Sequence, residues 1–317
     1  MKYAYYTCDV FTEERFGGNP LAVFPEAEGL TEWQMQQIAR EFNYSETTFC
    51  FRPNDHQFTR RVRIFTPTIE VPFAGHPNVG TAFVLASVGA LGDLCHDDDQ
   101  GTVSITFEEK AGPVPITIQR QNGLLTCELK APQPLTTGPT VTVAQMAEIL
   151  SLTAADLDVE PHAPVVASVG LPFLMVRVRN IAALGRAKIN LPALEKLFVF
   201  AASGLLPFDV HVYTVVPGGT TTTLRARMFA PLDNVPEDPA TGSANAALVA
   251  LLTSLETPVD GGGGGTTTTF HWTIQQGVEM GRPSTLYART VRNANGVVTG
   301  VWVRGSSVLV SQGWMEV

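Results

Sequence analysis

The stretch RIFTPTIEVPFAGHPNVGTAFVL, residues 63–85, decides the fold, because its opening pattern returns at residues 227–248 as RMFAPLDNVPEDPATGSANAAL. Both copies read Arg-x-Phe-x-Pro-x-x-x-Val-Pro, the first from Arg63 and the second from Arg227. Each copy then runs through a glycine into an apolar segment of helical length. This repeat predicts two similar domains, each with a central helix that is apolar all round because it is buried all round.

A shorter repeat supports the duplication. Gly18-Asn19-Pro20 precedes the apolar run LAVF, and Gly170-Leu171-Pro172 precedes FLMV. Turn residues beside short apolar runs are typical of strands. The spacing from Gly18 to Gly170 is slightly shorter than that from Arg63 to Arg227, which an inserted loop explains.

Length and composition exclude several classes of protein. The 317 residues suit two domains of roughly 150 residues each, and 44% hydrophobic with 16% charged residues indicates a soluble globular protein. A net charge of −9 argues against a nucleic-acid partner. No secretory signal or membrane-spanning run is visible, so we expect a cytoplasmic protein with no membrane partner. The four scattered cysteines indicate reduced thiols, and the isolated histidines predict no metal site.

The remaining segments read as short strands separated by turn residues. We therefore predict an α+β fold of two pseudo-symmetric domains, each an antiparallel β-barrel-like sheet wrapped around a central α-helix. The Pro- and Thr-rich stretch at about 132–140 is the predicted linker between domains 1–132 and 141–317. The C-terminal strand is a candidate for return to the first domain. The acidic segment 93–99 and the Gly/Thr-rich segment 261–269 read as surface loops.

The first helix start reads Ala-Gly-His-Pro, and we predict a helix from about Pro77 to Ala90. Proline suits the first turn of a helix, where its missing N–H is not needed. Gly75 lets a ligand approach the backbone, and the free N–H groups of the first turn attract an anion. His76 is the best placed of the six histidines, although a lone histidine is often only structural.

The second helix start offers similar groups in Asp-Pro-Ala-Thr-Gly-Ser, and we predict a helix from about Ser243 to Leu255. Ser243 is the expected N-cap, and Asp238 lies just upstream. Two such helix starts predict a carboxylate-bearing small molecule bound in a cleft between the domains. The alternative is a pair of capped, buried helices that bind nothing, and the duplication counts against it.

Glu46 is the candidate proton carrier. It opens a predicted strand whose alternation places Glu46, Thr48 and Cys50 on one face. If that face points inward, the carboxylate is partly desolvated and can hold and release a proton near neutral pH. The alternative, a solvated carboxylate on an edge strand, is the common situation for glutamate.

Five segments make the chain similar to the PhzF family of phenazine-biosynthesis-like proteins, within the diaminopimelate epimerase-like fold. They occur in the family's order and span nearly the whole length: FGGNPLAVF (16–24), NYSETTF (43–49), RIFTPTIEVPFAGHPNVGTA (63–82), RMFAPLDNVPEDPATGSANAAL (227–248) and GVEMGRPS (277–284). The resemblance implies two barrel-like domains with the active site between them, a homodimer and no cofactor. It also implies an isomerase that moves a proton within a cyclohexadiene amino acid, as in dihydro-3-hydroxyanthranilate isomerisation.

The resemblance assigns roles to individual residues. Glu46 matches the family's proton-transferring glutamate. The residues that match the family's remaining catalytic positions are His76, Asp238 and Ser243. We assign substrate binding to Asn19, Gly75, Thr241 and Gly242. Related racemases of this fold carry one cysteine at each helix start, and neither helix start here contains a thiol, so a two-thiol racemase is excluded.

These observations predict a cofactor-independent isomerase that acts by general acid/base proton transfer on a small carboxylate-bearing substrate. Glu46 moves the proton, His76 and Asp238 orient the substrate or tune Glu46, and Ser243 with the backbone N–H groups holds a carboxylate or oxyanion. Two alternatives stay open at this point. One is an epimerase or racemase without the cysteine pair, and the other is a non-catalytic scaffold that binds a metabolite or a protein.

Overall fold

The structure is a computed structural model that describes residues 1–92, 100–121, 123–200, 209–218, 222–256 and 267–317. Predicted loop 93–99 with Cys95, and residues 261–266 of the Gly/Thr-rich loop, lie outside the described residues. The chain divides into two compact units. Unit 1 comprises residues 1–130 and 304–317, and unit 2 comprises residues 131–303.

Unit 1 is a mixed sheet wrapped around one buried helix. Its elements are β1 (Lys2–Val10), β2 (Asn19–Phe24), α1 (Glu32–Phe42), β3 (Glu46–Phe51), β4 (Arg60–Phe65), β5 (Glu70–Val71), α2 (Gly75–Ser87), β6 (Gln100–Glu109), β7 (Gly112–Gln121) and β8 (Leu124–Lys130). The last strand of the chain, β17 (Val298–Glu316), pairs with β1 and β8 and closes the sheet. Helix α2 lies inside and is buried from Gly75 to Ala86.

Unit 2 repeats this plan. Its elements are β9 (Thr136–Thr140), α3 (Val143–Ile149), β10 (Val165–Ser168), β11 (Pro172–Arg177), α4 (Ile181–Arg186), α5 (Leu191–Phe200), β12 (Val210–Val216), β13 (Thr222–Ala230), β14 (Val235–Asp238), α6 (Gly242–Leu255), β15 (Thr268–Gln276) and β16 (Ser284–Arg292). Helix α6 is the counterpart of α2 and is buried along nearly its whole length. The α+β fold class predicted from the sequence is confirmed.

Strand direction and register are the same in the two units. In unit 1 the β2–β3 and β4–β6 pairs run parallel, and in unit 2 the β11–β12 and β13–β15 pairs do so. The other strand pairs whose register is defined within the described residues are antiparallel, so each sheet is mixed rather than purely antiparallel. The Gly-x-Pro repeats introduce β2 and β11, the first members of the equivalent parallel pairs. The repeated sequence motifs therefore mark a strand topology that occurs once in each unit.

Three local expectations need correction. The predicted linker contains β9, which pairs with β10, so Thr136–Thr140 belong to a sheet. Helix α2 begins at Gly75, just before the predicted start at Pro77. Helix α6 begins at Gly242, and its N-cap is Thr241 rather than Ser243, which is the second residue of the helix. The backbone of Thr241 is extended while that of Gly242 is already helical, and this change of backbone conformation defines the boundary.

The repeated Arg-x-Phe motif builds the same ion pair twice. Arg63 donates to both carboxylate oxygens of Glu70 at 2.7 and 2.5 Å, and Arg227 donates to those of Glu237 at 2.7 and 2.8 Å. Each guanidinium also lies over the ring of the motif phenylalanine, 5.2 Å from Phe65 in unit 1 and 4.8 Å from the equivalent ring in unit 2. A planar fork that binds two oxygens and stacks on a ring requires arginine.

Arginine-to-lysine substitutions test the unequal burial of the two ion pairs. Arg227 is the more buried arginine and also donates to the carbonyls of Leu184 and Ala187. We expect Arg227→Lys to lower the free energy of unfolding by about 3 kcal/mol, because a lysine cannot donate to Glu237 and to both carbonyls as the guanidinium does. Arg63→Lys should cost about 1 kcal/mol, as for a partly exposed pair. Urea denaturation measures both values, and equal losses would contradict this account.

Within the part of the chain that the structure describes, no helix is both long enough and apolar enough to cross a bilayer.

Candidate active site

The start of α2 brings together the four site residues predicted for unit 1. Glu46 is the first residue of β3, and its Oε2 lies 3.5 Å from Nδ1 of His76. Nδ2 of Asn19, the first residue of β2, lies 3.4 Å from the same imidazole nitrogen. Gly75 is the first residue of α2, directly before His76. Side chains from two strands therefore converge on the first turn of the buried helix.

The strand face that carries Glu46 points inward. Further along the same face of β3, the hydroxyl of Thr48 lies 2.8 Å from the hydroxyl of Thr81 on α2. The Glu46 side chain is 17% exposed, so it is neither solvated like a surface glutamate nor sealed in the core. Glu46 therefore lies at an inward-facing strand position, which a proton-carrying role requires.

His76 is buried and stays neutral near physiological pH. Burial lowers the pKa of His76 to about 3, and a backbone hydrogen bond at Pro20 acts in the opposite direction. Its 3.5 Å contact with Oε2 of Glu46 is consequently not an ion pair, and it does not meet ordinary hydrogen-bond limits. The side-chain hydrogen-bond partner of Nδ1 is the Asn19 amide. His76 therefore faces Glu46 as an uncharged polar group.

The start of α6 in unit 2 is built from a buried polar network. Thr241 donates through its hydroxyl to Asp238 Oδ2 at 2.5 Å. Gln276, the last residue of β15, accepts the backbone N–H of Thr241 at 3.2 Å and donates to the Asp238 carbonyl at 2.8 Å. Asn245 donates to Gln276 at 2.7 Å, and its carbonyl oxygen lies 3.1 Å from Nε2 of His211. These bonds fix the conformation of the chain from Asp238 to Thr241.

The same asparagine interaction occurs at both helix starts. Asn78 donates to the carbonyl of Ala74 at 2.9 Å, and Asn245 donates to the carbonyl of Thr241 at 3.0 Å. The offset from Asn78 to Asn245 equals the offset from Gly75 to Gly242, so the asparagines occupy one position of the repeat. Neither N-cap side chain bonds the first-turn N–H groups. At both helix starts an asparagine side chain therefore donates to the carbonyl of the N-cap residue. The first-turn N–H groups, which an anion would bind, donate to no N-cap side chain.

Asp209, the counterpart of Glu46 in unit 2, was not predicted from the sequence. Thr47 lies opposite Phe65 in unit 1, and Val210 lies opposite Phe229 in unit 2. Because the two phenylalanines occupy one position of the repeat, the residues that precede Thr47 and Val210 are also equivalent. Those residues are Glu46 and Asp209. The aspartate lacks a sequence motif around it, and only the strand register identifies it.

Asp209 has the properties of a proton-carrying group. Burial raises its pKa to about 7, and the charges of Asp233 and Asp238 act in the same direction. Its Oδ1 is buried and accepts no hydrogen bond within the described ranges. A carboxyl with a pKa near neutrality at the position equivalent to Glu46 is a candidate acid or base.

The described cysteines are structural. Three buried cysteines are not part of a disulfide: Cys8, Cys50 and Cys127. Burial raises the pKa of the Cys8 and Cys50 thiols well above the ordinary value, which suppresses the reactive thiolate. Across the described ranges, no three His, Cys, Asp or Glu side chains are grouped so that they could hold a metal ion.

The comparisons with known proteins agree with this fold. The family model for phenazine biosynthesis-like proteins (PhzC-PhzF) matches residues 8–313. An uncharacterized isomerase of Mesorhizobium japonicum is 35% identical, covering 98% of this chain and 97% of its own length. The trans-2,3-dihydro-3-hydroxyanthranilate isomerase of Pseudomonas aeruginosa is 33% identical, covering 98% of each chain. A PhzF-family crystal structure from Bacillus anthracis superposes with a TM-score of 0.82 at 24% identity, over 100% of both chains.

Both of these curated relatives are named isomerases, and their similarity extends over nearly the full chain. This protein is therefore an isomerase. It belongs to the family of phenazine biosynthesis-like proteins, the PhzF family that its sequence motifs resemble.

The protonation state of His76 can be measured directly. We expect the His76 imidazole to remain neutral from pH 8 down to about pH 5, because burial lowers its pKa to about 3. An NMR titration of labelled histidine side chains, with His76→Asn used to assign the signal, reports this state. A His76 midpoint above about pH 5 would show that the imidazole is solvated or paired as a cation.

Proposed function

We propose that this isomerase transfers a proton within a small carboxylate-bearing substrate by general acid/base catalysis, without a cofactor. The observation that carries the proposal is the Glu46 carboxylate, partly buried and 3.5 Å from the neutral imidazole of His76. In this role Glu46 takes a proton from one carbon atom and returns it to another. Such a rearrangement involves no net oxidation or reduction, so an electron carrier has no part in it.

Each remaining site residue has a role in this mechanism. His76 places an uncharged polar ring beside Glu46, so no charge on the imidazole favours one protonation state of the carboxyl over the other. The first turns of α2 and α6, beginning at Gly75 and Gly242, offer N–H groups to a carboxylate or developing oxyanion. Ser243 adds a hydroxyl in the first turn of α6. In this proposal Asp238, which accepts a hydrogen bond from the Thr241 hydroxyl, also accepts one from an amino or hydroxyl group of the substrate.

A cyclic amino acid of the dihydro-3-hydroxyanthranilate kind is the first substrate to test. The Pseudomonas aeruginosa relative is named for trans-2,3-dihydro-3-hydroxyanthranilate, and its similarity extends over 98% of both chains. The carboxylate and amino group of such a molecule suit the helix N–H groups and Asp238, respectively. We also propose that the protein works as a homodimer in the cytoplasm, as the family resemblance implies.

The central test is Glu46→Gln, which removes the proton acceptor and keeps the shape of the side chain. We expect kcat on trans-2,3-dihydro-3-hydroxyanthranilate to fall by roughly 10²–10⁴-fold, the usual contribution of a general acid/base. The dissociation constant, measured by calorimetry, should change by less than about threefold, because a carboxamide disturbs ground-state contacts little.

Glu41→Gln is the matched control, since Glu41 is an exposed glutamate of α1 and the same charge is lost. It should leave both kcat and the dissociation constant unchanged. Full turnover by Glu46→Gln would remove Glu46 from the mechanism.

Asp209 favours a second candidate, an epimerase that uses two oxygen bases. A two-base epimerase requires two acid/base groups, and Glu46 and Asp209 occupy the same register position of their respective units. The test is incubation of an amino-acid substrate in D₂O. Deuterium at an inverted α-carbon, lost in both Glu46→Gln and Asp209→Asn, would establish the epimerase. Proton transfer without α-carbon inversion, abolished by Glu46→Gln alone, supports the isomerase proposed here.

A further inference from the structure

Glu109 is a buried carboxyl that has no role in the proposed proton transfer. It is the last residue of β6 and is 8% exposed. Both of its carboxyl oxygens are buried, and neither has a hydrogen-bond partner among the described residues that meets ordinary distance and angle limits. The same holds for Oδ1 of Asn78. A buried ionised carboxylate without donors is strongly unfavourable, so the protonation state of Glu109 needs an explanation.

Asn78 is the polar side chain with which Glu109 interacts. Burial raises the pKa of Glu109 to about 8, and the interaction with Asn78 acts in the opposite direction. One N–H of the Asn78 amide donates to the Ala74 carbonyl, and the second is the donor towards Glu109, as the Asn245 amide is towards Gln276. A single N–H cannot satisfy two buried carboxylate oxygens, whereas a protonated carboxyl accepts through one oxygen and donates through the other. The protonated acid is therefore the form that this buried position favours.

The second unit contains an independent counterpart of this arrangement. Strand β6 pairs in parallel with β4, and β15 pairs in parallel with β13. The last residues of these equivalent strands are Glu109 and Gln276, and the offset between them equals that between Asn78 and Asn245. Gln276 contacts Asn245 and the residue before α6 as a neutral amide that both donates and accepts.

We propose that Glu109 is a positioning residue that supports the start of α2 as a protonated acid, in the role that the amide of Gln276 has at α6. A protonated carboxyl and a carboxamide have nearly the same shape, and each offers both a donor and an acceptor to its neighbours. Through Asn78, Glu109 fixes the Ala74 carbonyl and thereby the backbone of Gly75 and His76. Deprotonation of Glu109 weakens this support.

The neighbouring charged groups are engaged elsewhere. Lys110, next in the chain, lies 2.5 Å from Glu70, which Arg63 also binds. On β4, Arg61 lies over the ring of Phe51 at 4.7 Å. On α2, the titratable group nearest in sequence to Asn78 is His76, which is neutral. No cation among these groups is available to stabilise an ionised Glu109.

The sign of the pH effect follows from the raised pKa. The folded state keeps the Glu109 proton up to about pH 8, whereas an unfolded chain loses it near an ordinary glutamate pKa of about 4.3. The stability contribution of this group is complete below the unfolded pKa and declines as the pH rises to about 8. A neutral glutamine at this position removes that decline.

The experiment compares thermal unfolding of wild type and Glu109→Gln from about pH 5 to about pH 9. We expect similar Tm values near pH 5 and a progressively higher Tm for Glu109→Gln as the pH rises towards 8. Glu108→Gln is the matched control, because Glu108 binds Asn54 and not α2. It should show no such growing difference. A Tm difference for Glu109→Gln that is the same at every pH would overturn the proposal.

A reciprocal variant and a spectroscopic measurement make the test independent of any one substitution. Gln276→Glu introduces a titratable carboxyl at the equivalent position of unit 2. The Tm of this variant should fall, relative to the Tm of wild type, as the pH rises. Infrared spectroscopy at about pH 6 should show a protonated-carboxyl stretching band in wild type that is reduced in Glu109→Gln, with the remainder arising from Asp209. Persistence of the whole band in Glu109→Gln would contradict the assignment.

An activity measurement connects Glu109 to the site, and it alone rests on the proposed function. The kcat of wild type should fall relative to that of Glu109→Gln as the pH rises through about 8, with KM changing less. The unfolding and infrared measurements need no substrate. Failure of the Glu46 mechanism would therefore leave the Glu109 result intact, and the converse also holds.

Discussion

The hydrogen bond from an asparagine to the carbonyl one turn before it supports the rest of this structure. Each unit encloses a helix whose first turn must be both buried and chemically available, which conflicts with the need of terminal polar groups for partners. Asn78 and Asn245 hold each helix start by donating to the carbonyls of Ala74 and Thr241. The N-cap side chains accept no hydrogen bond from the first-turn N–H groups. The geometry of both helix starts therefore depends on the asparagines rather than on N-cap side chains.

The two units share a scaffold and differ in chemistry at equivalent positions. Glu46 corresponds to Asp209, and Glu109 corresponds to Gln276. Similar backbone geometry therefore carries different ionisable groups, and burial tunes each of them separately. Burial keeps His76 neutral and raises the pKa of Asp209 to about 7. Gene duplication thus accounts for the fold, whereas the proton chemistry arises from substitutions at a few strand ends and helix starts.

The sequence predicted the features that depend on local pattern. Two central helices, their approximate starts and the duplicated Arg-Phe-Pro motif were accessible from spacing, whereas the direction in which the Glu46 face points was left open. The N-cap predicted for α6 was wrong because Ser243 is a favourable capping residue by type, yet the change in backbone conformation occurs at Thr241. Asp209 and Glu109 were missed because their significance depends on strand register and burial, which connect residues distant in sequence. Applying the offset between the two helix-start glycines to the whole chain would have paired Glu109 with Gln276.

The most direct test of the central claim is the fate of the migrating hydrogen. A substrate of the dihydro-3-hydroxyanthranilate type would be deuterated at the carbon that loses its proton, converted in H₂O, and the product analysed by mass spectrometry during a single turnover. One partly buried carboxyl that takes and returns the same hydrogen predicts measurable deuterium at the carbon that gains it. Complete loss of deuterium to solvent, with hydrogen delivered by a second group, would contradict the one-base account.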